Sequence, residues 1–494
     1  MDVKLDIFCF FDGSDSAGLG HVNRSMAFMI QASNLGHRVS GFQIMRDHIQ
    51  TVDEGSYHFE DTVEKILGST AKSILVLDIY KVPRKFKVEM ERLLAAVDQS
   101  VVFETTNLPI TDKTLVVNYS LEPISESLGE NVLSHPSFFM SGSSLSRKGI
   151  SDKASKGVAL VFGHLSLTVA TKFEKIILNS SEIHNFDLSV YASSNSGIVE
   201  FCGVPVIHYK DVRELKAYQF VICPPSTVFY ECIALGIPSI VVGYADSHYH
   251  ELPGMLRAGV IGYIGSIDDE NIGDRLESAV SSISLWGRPC VDYLRRSYSI
   301  DGKGAERLID YIVNEKHQLN AQDSESSLHR NPFEELALVE CDLSDLYDFL
   351  KSRNQAHVRS LCGGGHEIDF FEHVRWWFSS QSSQQIRYKL QSSRITSAFG
   401  WIKTTPLDGQ LLFTSGWFPA VGHRVGISEM FAIADYEEKR FLEVNAIWVA
   451  WVNSQNKIVL RSLLERGFER LVDPSPYSEI FRFDPSRFIC FTRK

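Results

Sequence analysis

Short apolar runs recur through the first 310 residues or so, and amphipathic stretches of helical length separate them. Before residue 150 the runs include KLDIFCFF, SILVLDIY, SVVFETT and TLVVNYS, and after residue 155 they include GVALVFG, FDLSVYAS, FVICPP and SIVVGYA. Buried strands that alternate with helices are typical of parallel α/β layers. The pattern occurs as two consecutive series, which predicts two α/β halves that face each other across a cleft.

The chain therefore divides into four predicted regions. Residues 1–150 and 151–313 form two Rossmann-like halves, and residues 314–331, NEKHQLNAQDSESSLHRN, are polar enough to be a linker. Residues 332–494 form a different unit, which opens with the acidic, Leu-rich ELALVECDLSDLYDFLKSRN and ends in the strand-like FRFDPSRFICFTRK.

Composition narrows the possible partners and compartments. With 49 basic and 61 acidic residues the net charge is −12, which disfavours nucleic acid as a partner. No apolar run approaches the roughly 20 residues of a membrane span. The opening MDVKLDIFCFFDGSDS lacks a basic n-region and a cleavage site, so it is predicted as a first strand. The eight cysteines form no CxxC pair, which favours reduced thiols in a cytoplasm and disfavours a structural metal site.

A glycine loop that carries a histidine follows the first predicted strand. Residues 17–24 read AGLGHVNR, and a helix follows directly. Gly18 and Gly20 permit a tight turn, and the helix N-terminus favours negative charge. His21 is therefore expected at the carboxyl edge of the sheet, where open α/β folds bind ligands.

Two further segments belong with this loop. PPSTVFYECIALGIPSIVVG, residues 224–243, places Ser226 and Thr227 at a helix N-terminus and Glu231 one turn into the helix. DGKGAERLIDYI, residues 301–312, is a short glycine turn that opens a terminal helix.

Together, DGSDSAGLGHVNRSMAFMIQASNLGHRV, STVFYECIALGIPSIVV and DGKGAERL resemble the nucleotide-sugar hydrolase of pseudaminic acid biosynthesis. They are also similar to spore-coat polysaccharide proteins and to the two-Rossmann (GT-B) glycosyltransferases. The resemblance covers about residues 1–312. It implies that His21 is the base that activates water for release of UDP, and that Glu231 holds the ribose. It also implies a substrate- or nucleotide-binding role for Gly18, Gly20, Arg24, Asp78, Gly163, Ser226, Thr227 and His248.

Two departures from the family keep a second reaction open. Where the family shows a Gly-Gly-Ser/Thr-Asp turn, this chain reads VFGHLS, which keeps Gly163 and places His164 beside it. The Asn-Gln of the late loop is replaced by ADSHYHELPGML, with His248 or His250 nearby. A glycosyltransferase with a sugar acceptor in place of water is therefore the alternative.

The last 160 residues or so carry a second resemblance. FLKSRNQAHVRSLCGGGHEIDFFEHVRWWF and WVNSQNKIVLRSLLERGFERL resemble the GNAT N-acetyltransferases, especially the aminosugar acetyltransferase of the same pathway, over about residues 336–494. The resemblance implies acetyl-CoA as acyl donor, with its pyrophosphate on a Gln/Arg-x-x-Gly-x-Gly/Ala loop. The nearest segment is VGHRVGIS, residues 421–428, with Arg424 and Gly426, and Asn456 marks the acetyl-CoA edge.

This second resemblance is also incomplete. The tyrosine that commonly protonates the departing thiolate, seven residues after the asparagine, falls at Leu463. Either another residue is the acid, or the module is inactive. For His373 and the pair Trp376–Trp377, packing in the core is the preferred interpretation.

The sequence thus predicts α/β architecture with two Rossmann-like, GT-B-like halves followed by a GNAT-like α+β domain. The predicted function is a cytoplasmic, bifunctional enzyme that releases UDP from a UDP-acetamido sugar and acetylates an aminosugar. The alternatives are a glycosyltransferase with an accessory tail and a non-catalytic scaffold. The oligomeric state is left open.

Overall fold

The computed structural model describes residues 4–12, 19–45, 48–52, 63–64, 66–68, 72–79, 82–104, 108–122, 131–141, 157–163, 166–192, 197–209, 212–249, 251–314, 336–362, 365–379, 385–392, 395–474, 477 and 486–493. The chain forms two compact units, Met1–Ala321 and Gln322–Lys494. Apart from Asn314, the predicted linker lies outside the described residues.

The first half of unit 1 is built on one seven-stranded sheet in the order β3-β2-β1-β4-β5-β6-β7. All neighbouring strands are parallel except β2 and β3. The first, fourth and sixth strands are almost wholly buried, which explains their continuous apolar sequences. The elements are β1 (Asp6–Asp12), α1 (Leu19–Asn34), β2 (Arg38–Ile44), β3 (Ile49–Thr51), β4 (Ser73–Asp78), α2 (Lys87–Ala96), β5 (Gln99–Phe103), β6 (Thr114–Asn118) and β7 (Val132–Ser134).

The second half repeats this plan in the order β10-β11-β9-β8-β12-β13-β14, with only β10 and β11 antiparallel. The prediction of α/β layers with parallel sheets is confirmed for unit 1. The elements are β8 (Gly157–Phe162), α3 (Leu167–Leu178), β9 (Asp187–Ala192), β10 (Glu200–Phe201), β11 (Val204–His208), β12 (Phe220–Cys223), α4 (Thr227–Leu235), β13 (Ser239–Gly243), α5 (Asp246–Tyr249), α6 (Leu252–Arg257), β14 (Tyr263–Ser266), α7 (Ile272–Ser297) and α8 (Gly304–Asn314).

The last helix of the second half returns to the first half. The amide of Gly304 donates to the carbonyl of Phe139 at 2.9 Å, and a Cβ at Gly304 would lie 2.1 Å from the carbonyl oxygen of Phe138. From there α8 runs along α1 and shares its apolar core. Gly304 of the DGKG motif is therefore explained by close backbone approach between the two halves, and Gly302 by its left-handed φ of +80°.

Unit 2 contains a third seven-stranded sheet, in the order β15-β16-β17-β18-β19-β21-β20. Its neighbouring strands are antiparallel except β18 and β19, which are parallel and joined through a helix. The elements are β15 (Ala337–Glu340), α9 (Leu346–Arg353), α10 (Ala356–Leu361), α11 (Phe370–Ser379), β16 (Gln385–Ser392), β17 (Ile395–Leu407), β18 (Gln410–Pro419), α12 (Ile427–Leu442), β19 (Ala446–Asn453), α13 (Lys457–Glu465), β20 (Glu469–Arg470) and β21 (Phe488–Arg493).

Across the described part of both units, no helix combines the length and the apolar character that crossing a membrane requires.

Candidate functional site

The N-termini of α1 and α4 meet where the two halves of unit 1 face each other, a place that we call the cleft. Each helix follows a parallel strand, β1 and β12 respectively, so both begin at the carboxyl edge of their sheet. A Cβ at Gly20 would lie only 2.9 Å from the Thr227 hydroxyl, so the glycine allows the close approach. Helix N-termini carry partial positive charge and present amide donors. Where the N-termini of α1 and α4 meet, their amide donors and partial positive charges together suit a phosphate group.

His21 lies in the first turn of α1 and is only 5% exposed. Its Nδ1 is 2.5 Å from Oδ1 of Asp78, the last residue of β4, which is fully buried. An ionised carboxylate accepts from the Nδ1–H of a neutral imidazole, which makes Nε2 the basic nitrogen. The pair thus holds the imidazole in one orientation and one tautomer.

Arg24 lies one turn further along α1 and keeps Asp78 ionised. Its Nε donates to Asp78 Oδ2 at 2.8 Å and its Nη2 to Oδ1 at 2.5 Å, and Ser25 donates to Oδ2 at 3.1 Å. Burial alone raises the pKa of the Asp78 carboxyl, but the charge and hydrogen bonds of Arg24 outweigh it and bring the pKa down to about 2. In the structure Asp78 and Arg24 contact each other and His21, and the nucleotide-binding role that the resemblance implies for them stays a prediction.

Glu104 is the second carboxylate on Arg24. It follows β5, accepts from Arg24 Nη1 at 2.7 Å, and its side chain is 25% exposed. Its φ of +62° lies in the left-handed region, which a residue other than glycine adopts at a cost of about 1–3 kcal/mol. The rings of Phe103 and Tyr119 each lie 5.0 Å from the Arg24 guanidinium. The guanidinium is therefore enclosed by two carboxylates and two aromatic rings.

Tyr230 and Glu251 connect the two halves at the same cleft. The Tyr230 hydroxyl accepts from the Leu121 amide at 2.9 Å and donates to Glu251 Oε2 at 2.7 Å. Burial raises the pKa of Glu251 to about 8, and the charge of Glu104 adds to this increase. Glu251 is therefore a largely neutral carboxylic acid at pH 7 that faces the Arg24–Glu104 pair.

The seam between the halves is closely packed at this point. A Cβ at Gly254, on α6, would lie 2.4 Å from the amide of Glu122, and Arg257 on the same helix forms an ion pair with Glu122. This contact fixes α6, and hence Glu251, against the loop that follows β6.

Glu231 lies within α4 and is 4% exposed. Its Oε1 accepts from Ser141 at 3.1 Å and its Oε2 from the Tyr209 hydroxyl at 3.4 Å. A ligand hydroxyl that binds to Glu231 would compete with these two hydroxyls or use the remaining acceptor positions of the carboxylate. Because the Tyr209 contact is the longer of the two, it is the weaker one to displace.

Ser226 and Thr227 occupy the start of α4, as the sequence predicted. Ser226 is the N-cap residue, but its side chain makes no capping hydrogen bond. The Thr227 hydroxyl is hydrogen-bonded to Tyr119 of the first half. The two hydroxyls thus lie where the helix N-termini converge.

Gly163 and His248 lie together at another part of the second half. Gly163 follows β8, and its amide is hydrogen-bonded to the Tyr244 hydroxyl. The Tyr244 amide donates to His248 Nδ1 at 3.3 Å, and burial lowers the pKa of His248 to about 4. His248 is consequently a neutral acceptor at pH 7. Gly18, His164 and His250 lie outside the described residues.

Sequence reasoning missed five polar residues of this cleft. Three of them, Glu104, Tyr119 and Tyr209, directly follow a strand, and strand ends were a usable signal; the other two, Ser141 and Glu251, gave no distinguishing pattern. They are Glu104, Tyr119, Ser141, Tyr209 and Glu251.

In unit 2 the parallel pair β18 and β19 diverges after a short contact. Within these two fully described strands, pairing extends only from Leu411–Phe413 on β18 to Ala446–Trp448 on β19. Beyond that point β18 pairs only with β17, and β19 pairs only with β21. Among the described residues, the edge of β18 from Thr414 to Pro419 therefore has no strand partner on that side, so an extended ligand with amide groups could pair with it.

An open groove of about 630 Å³ lies where β18 ends and α12 begins. Arg424 is exposed there, and Gly426 is the N-cap of α12. The Gly426 amide donates to Oε2 of Glu429 at 2.6 Å, so an internal carboxylate already occupies that donor. The lining residues are Gln355, His357, Trp417, Pro419, Gly422, His423, Arg424 and Val425.

The remaining predicted residues of unit 2 have structural contacts. Asn456 caps α13, its side chain accepting from the Val459 amide at 3.3 Å, and Leu463 is buried in the core. His373 is 2% exposed, its Nε2 lies 3.1 Å from the Leu346 carbonyl, and burial lowers its pKa to about 3. Trp377 is likewise buried, with the Arg387 guanidinium 4.5 Å from its ring.

Among the described residues, no group of three or more His, Cys, Asp or Glu side chains could hold a metal ion.

Neither a family model nor a curated protein matches the sequence. Similar solved structures include the aminoglycoside acetyltransferase AAC(6')-Ib in complex with coenzyme A, at 11% identity and a TM-score of 0.27, with 32% of this chain and 95% of that chain covered. The ribosomal-protein-alanine N-acetyltransferase of Brucella melitensis is 12% identical, with a TM-score of 0.26 and 32% and 99% covered. FdhC, a nucleotide-linked sugar GNAT, is 11% identical, with a TM-score of 0.26 and 32% and 86% covered.

Proposed function

We propose that unit 1 releases UDP from a UDP-activated acetamido sugar by transfer to water, with its two halves in a GT-B-like arrangement. One observation carries the proposal: the buried His21–Asp78 pair lies where the N-termini of α1 and α4 meet. A base and an anion site at one point are what displacement of a nucleoside diphosphate requires.

His21 is the general base in this reaction. Its Nδ1–H is held by Asp78, so Nε2 takes the proton of the attacking water as the bond to the anomeric carbon forms and the bond to the diphosphate oxygen breaks. Arg24 and Ser25 keep Asp78 ionised and in place. Asp78 is thus a positioning residue for the base, a role that its complete burial favours over nucleotide binding.

The second half holds the leaving group. The first turns of α1 and α4, with the hydroxyls of Ser226 and Thr227, stabilise the charge that develops on the diphosphate. Glu231 accepts hydroxyls of the ribose in exchange for Tyr209. Gly163, on the loop after β8, is proposed to lie on the phosphate side, and His248 is proposed to contact the substrate.

Unit 2 is proposed to be a GNAT-type N-acetyltransferase for the amino group of a sugar, with acetyl-CoA as donor. The divergence of β18 and β19 supports this, because it exposes a strand edge beside a groove that carries Arg424 and the start of α12. These residues fit the cofactor: the β18 edge would hold the pantetheine amides, and Arg424 with the α12 amides would hold the pyrophosphate. When bound, acetyl-CoA supplies an acetyl thioester.

The test is incubation of the full chain with a panel of UDP-acetamido sugars, with acetyl-CoA and UDP-glucosamine added in parallel samples and all products read by mass spectrometry. UDP release in water alone supports the hydrolase, and release only after a glycan acceptor is added supports the glycosyltransferase. An acetylated amino sugar supports the activity of unit 2. If neither UDP nor an acetylated product forms, the result supports the non-catalytic scaffold.

A further inference from the structure

We propose that Glu437, acting through the hydroxyl of Ser415, supplies the proton that the departing thiolate of CoA takes up in unit 2. The inference rests on the proposed acetyltransferase function and deepens it, because the resemblance leaves that acid without an assigned residue. Leu463 stands where the family's usual tyrosine would be, and it is buried in the apolar core. An aliphatic side chain has no proton to donate, so the acid must come from elsewhere in the unit.

Glu437 lies in the second half of α12 and is only 5% exposed. Its Oε1 accepts from the hydroxyl of Tyr388, on β16, at 2.8 Å, and its carboxyl is also hydrogen-bonded to the hydroxyl of Ser415, on β18. A Cβ at Gly400 would lie 2.2 Å from the ring of Tyr388, so this glycine allows the ring to lie across β17 and reach Glu437. The carboxyl is therefore held between α12 and two strands of the sheet.

Ser415 lies on the edge of β18 that has no strand partner among the described residues, close to the point where β18 and β19 diverge. Pairing between these strands ends at Phe413, and Ser415 is the second residue beyond it. Because side chains alternate along a strand, Phe413, Ser415 and Trp417 share one face of the sheet. Trp417 lines the groove and packs on the core cluster that contains Tyr388. The half-buried Ser415 hydroxyl therefore connects Glu437 to the open strand edge.

The length of this edge matches the arm of CoA that would pair with it. With the pyrophosphate at the start of α12, the arm would begin near Pro419, the last residue of β18, and run back toward the divergence. The distance along the strand from Pro419 to Ser415 is about 14 Å. The arm has about twelve bonds between the pyrophosphate and the sulphur, the length of about four residues of extended chain. Its sulphur would therefore reach Ser415.

Other titratable groups of unit 2 lie away from that position. His357 and His423 line the groove at the end of β18 that would hold the pyrophosphate. His373 is 2% exposed and is stacked within a cluster of aromatic rings. Burial raises the pKa of Tyr388 well above its ordinary value, so its hydroxyl keeps its proton. Of all these groups, only Glu437 is both acidic and connected to the open edge of β18.

Burial also gives Glu437 an acidity suited to the step. It raises the pKa of the carboxyl from an ordinary 4.5 to about 7, against the hydrogen bond of Tyr388, the charge of Arg466 and the hydrogen bond of Ser415. These three groups face the carboxyl from β16, from the end of α13 and from β18. Since an ordinary thiol has a pKa of about 8.5, proton transfer from Glu437 to the thiolate is favourable.

The proposed step balances as follows. The neutral amine nitrogen forms a bond to the acetyl carbon as the carbon–sulphur bond breaks, and the sulphur leaves with the electron pair of that bond. The thiolate takes the hydroxyl proton of Ser415, which in turn takes the proton of Glu437. The new amide nitrogen releases its extra proton to water, and the Glu437 carboxylate takes one back from water through Ser415. No other reactant is needed.

The experiment compares Glu437→Gln with Asp435→Asn in the full chain, with acetyl-CoA and UDP-glucosamine as probes. Glutamine can still accept from Tyr388 and donate to Ser415, but it has no acidic proton. We expect Glu437→Gln to lower kcat by about 10²-fold or more, the usual worth of a general acid, and to leave CoA affinity in calorimetry unchanged. The wild-type kcat should decline above pH 7 as Glu437 loses its proton, and the variant should lack this decline. Asp435, which is exposed on the same helix, should tolerate its substitution.

The hydroxyl of Ser415 allows a rescue test that leaves Glu437 in place. Ser415→Ala should lower kcat as much as Glu437→Gln does, and Ser415→Thr, which keeps a hydroxyl, should restore most of it. If Glu437→Gln does not fold, this pair of variants decides the proposal by itself.

Infrared difference spectroscopy provides a readout that does not depend on turnover. The band of the protonated Glu437 carboxyl, identified by its absence in Glu437→Gln, should change when CoA is added to the wild type. The same band should not respond to CoA in Ser415→Ala.

Three results would overturn the proposal. They are wild-type kcat in Glu437→Gln, a loss of equal size in Asp435→Asn, and a carboxyl band that does not respond to CoA in the wild type. If the wild-type protein does not bind CoA in calorimetry, the acetyltransferase function fails and this step fails with it. Normal CoA binding with wild-type kcat in Glu437→Gln would instead remove the role of Glu437 alone.

Discussion

The cleft of unit 1 and the groove of unit 2 are built on different principles. In unit 1 the polar side chains are buried and paired with one another: His21, Asp78 and Arg24 are each 5% exposed or less. In unit 2 the groove residues His357, His423 and Arg424 are exposed, and the feature that favours a ligand is a strand edge without a partner. A site built from buried charges links activity to stability, whereas one built from an open edge allows the two to vary independently.

The largest expected effect is on the rate of UDP release by unit 1. His21→Asn keeps a polar side chain beside Asp78 but removes the base, so UDP release from the true substrate should fall by about 10²–10⁴-fold. UDP affinity, measured by calorimetry, should change little, because the α4 side of the cleft is intact. A variant with wild-type turnover would place the base elsewhere and end the proposed mechanism.

The second-largest expected effect is on stability: a substitution in the cleft of unit 1 should lower the free energy of unfolding far more than one in the groove of unit 2. Asp78→Asn leaves Arg24 buried with only Glu104 as its ionised partner, and breaking a buried pair from one side costs about 3–5 kcal/mol in the free energy of unfolding. The matched control is Arg424→Gln on the exposed loop, which should stay within about 0.5 kcal/mol of the wild type. Both are measured by urea unfolding followed by circular dichroism. Equal losses for the two variants would remove the distinction drawn between the sites.

The pH dependence of stability offers a third test. The pKa of Glu251 rises from an ordinary 4.5 to about 8 in the folded chain, so its contribution is complete below pH 4.5 and is lost as the pH rises to 8. Because the residue is half-buried and screened by water, we expect this loss to amount to about 1–3 kcal/mol. Glu251→Gln should flatten the wild-type decline in unfolding free energy between pH 5 and 8. An unchanged slope in that variant would mean that Glu251 titrates normally.

The smallest expected effect is a change in CoA affinity at the groove of unit 2. Glu429 occupies the Gly426 amide at the start of α12, where the pyrophosphate is proposed to bind. Glu429→Gln removes a negative charge from that position, so CoA should bind about two- to fivefold more tightly, in keeping with about 0.3–1 kcal/mol for a charge at a helix terminus. Calorimetry at low ionic strength measures this, and Glu443→Gln near the other end of the helix is the control. Weaker CoA binding in Glu429→Gln would show that the carboxylate supports the loop instead of competing with the ligand.

The layers of unit 1 could be predicted from sequence because the apolar runs that form its strands are local. The runs KLDIFCFF and SILVLDIY contain β1 and β4, and their continuous apolar character reflects burial on both faces. The partners within the site could not be predicted in this way. Asp78 reaches His21 only because β4 lies beside β1 with Phe11 opposite Asp78, a register that depends on the whole sheet.

The missed residues have similar causes. The segment SVVFETT contains no residue type that signals the left-handed φ of Glu104. Glu251 contacts Tyr230 only because α6 packs on the other half. In unit 2 the motif comparison directed attention to Asn456, which caps α13 and does not line the groove. The resemblances to the hydrolase and acetyltransferase families, including the GT-B-like arrangement, remain predictions for the experiments above.

The return of α8 to the first half makes that half discontinuous in the chain. Residues 4–141 supply its sheet, but the helix that covers α1 is encoded some 160 residues later, after the whole of the second half. A chimera that exchanges the second half with that of another protein must therefore rejoin its own chain before Gly304. If the junction were placed after α8, the foreign helix would have to match the apolar surface of α1, and the backbone at Phe138 would have to accommodate it.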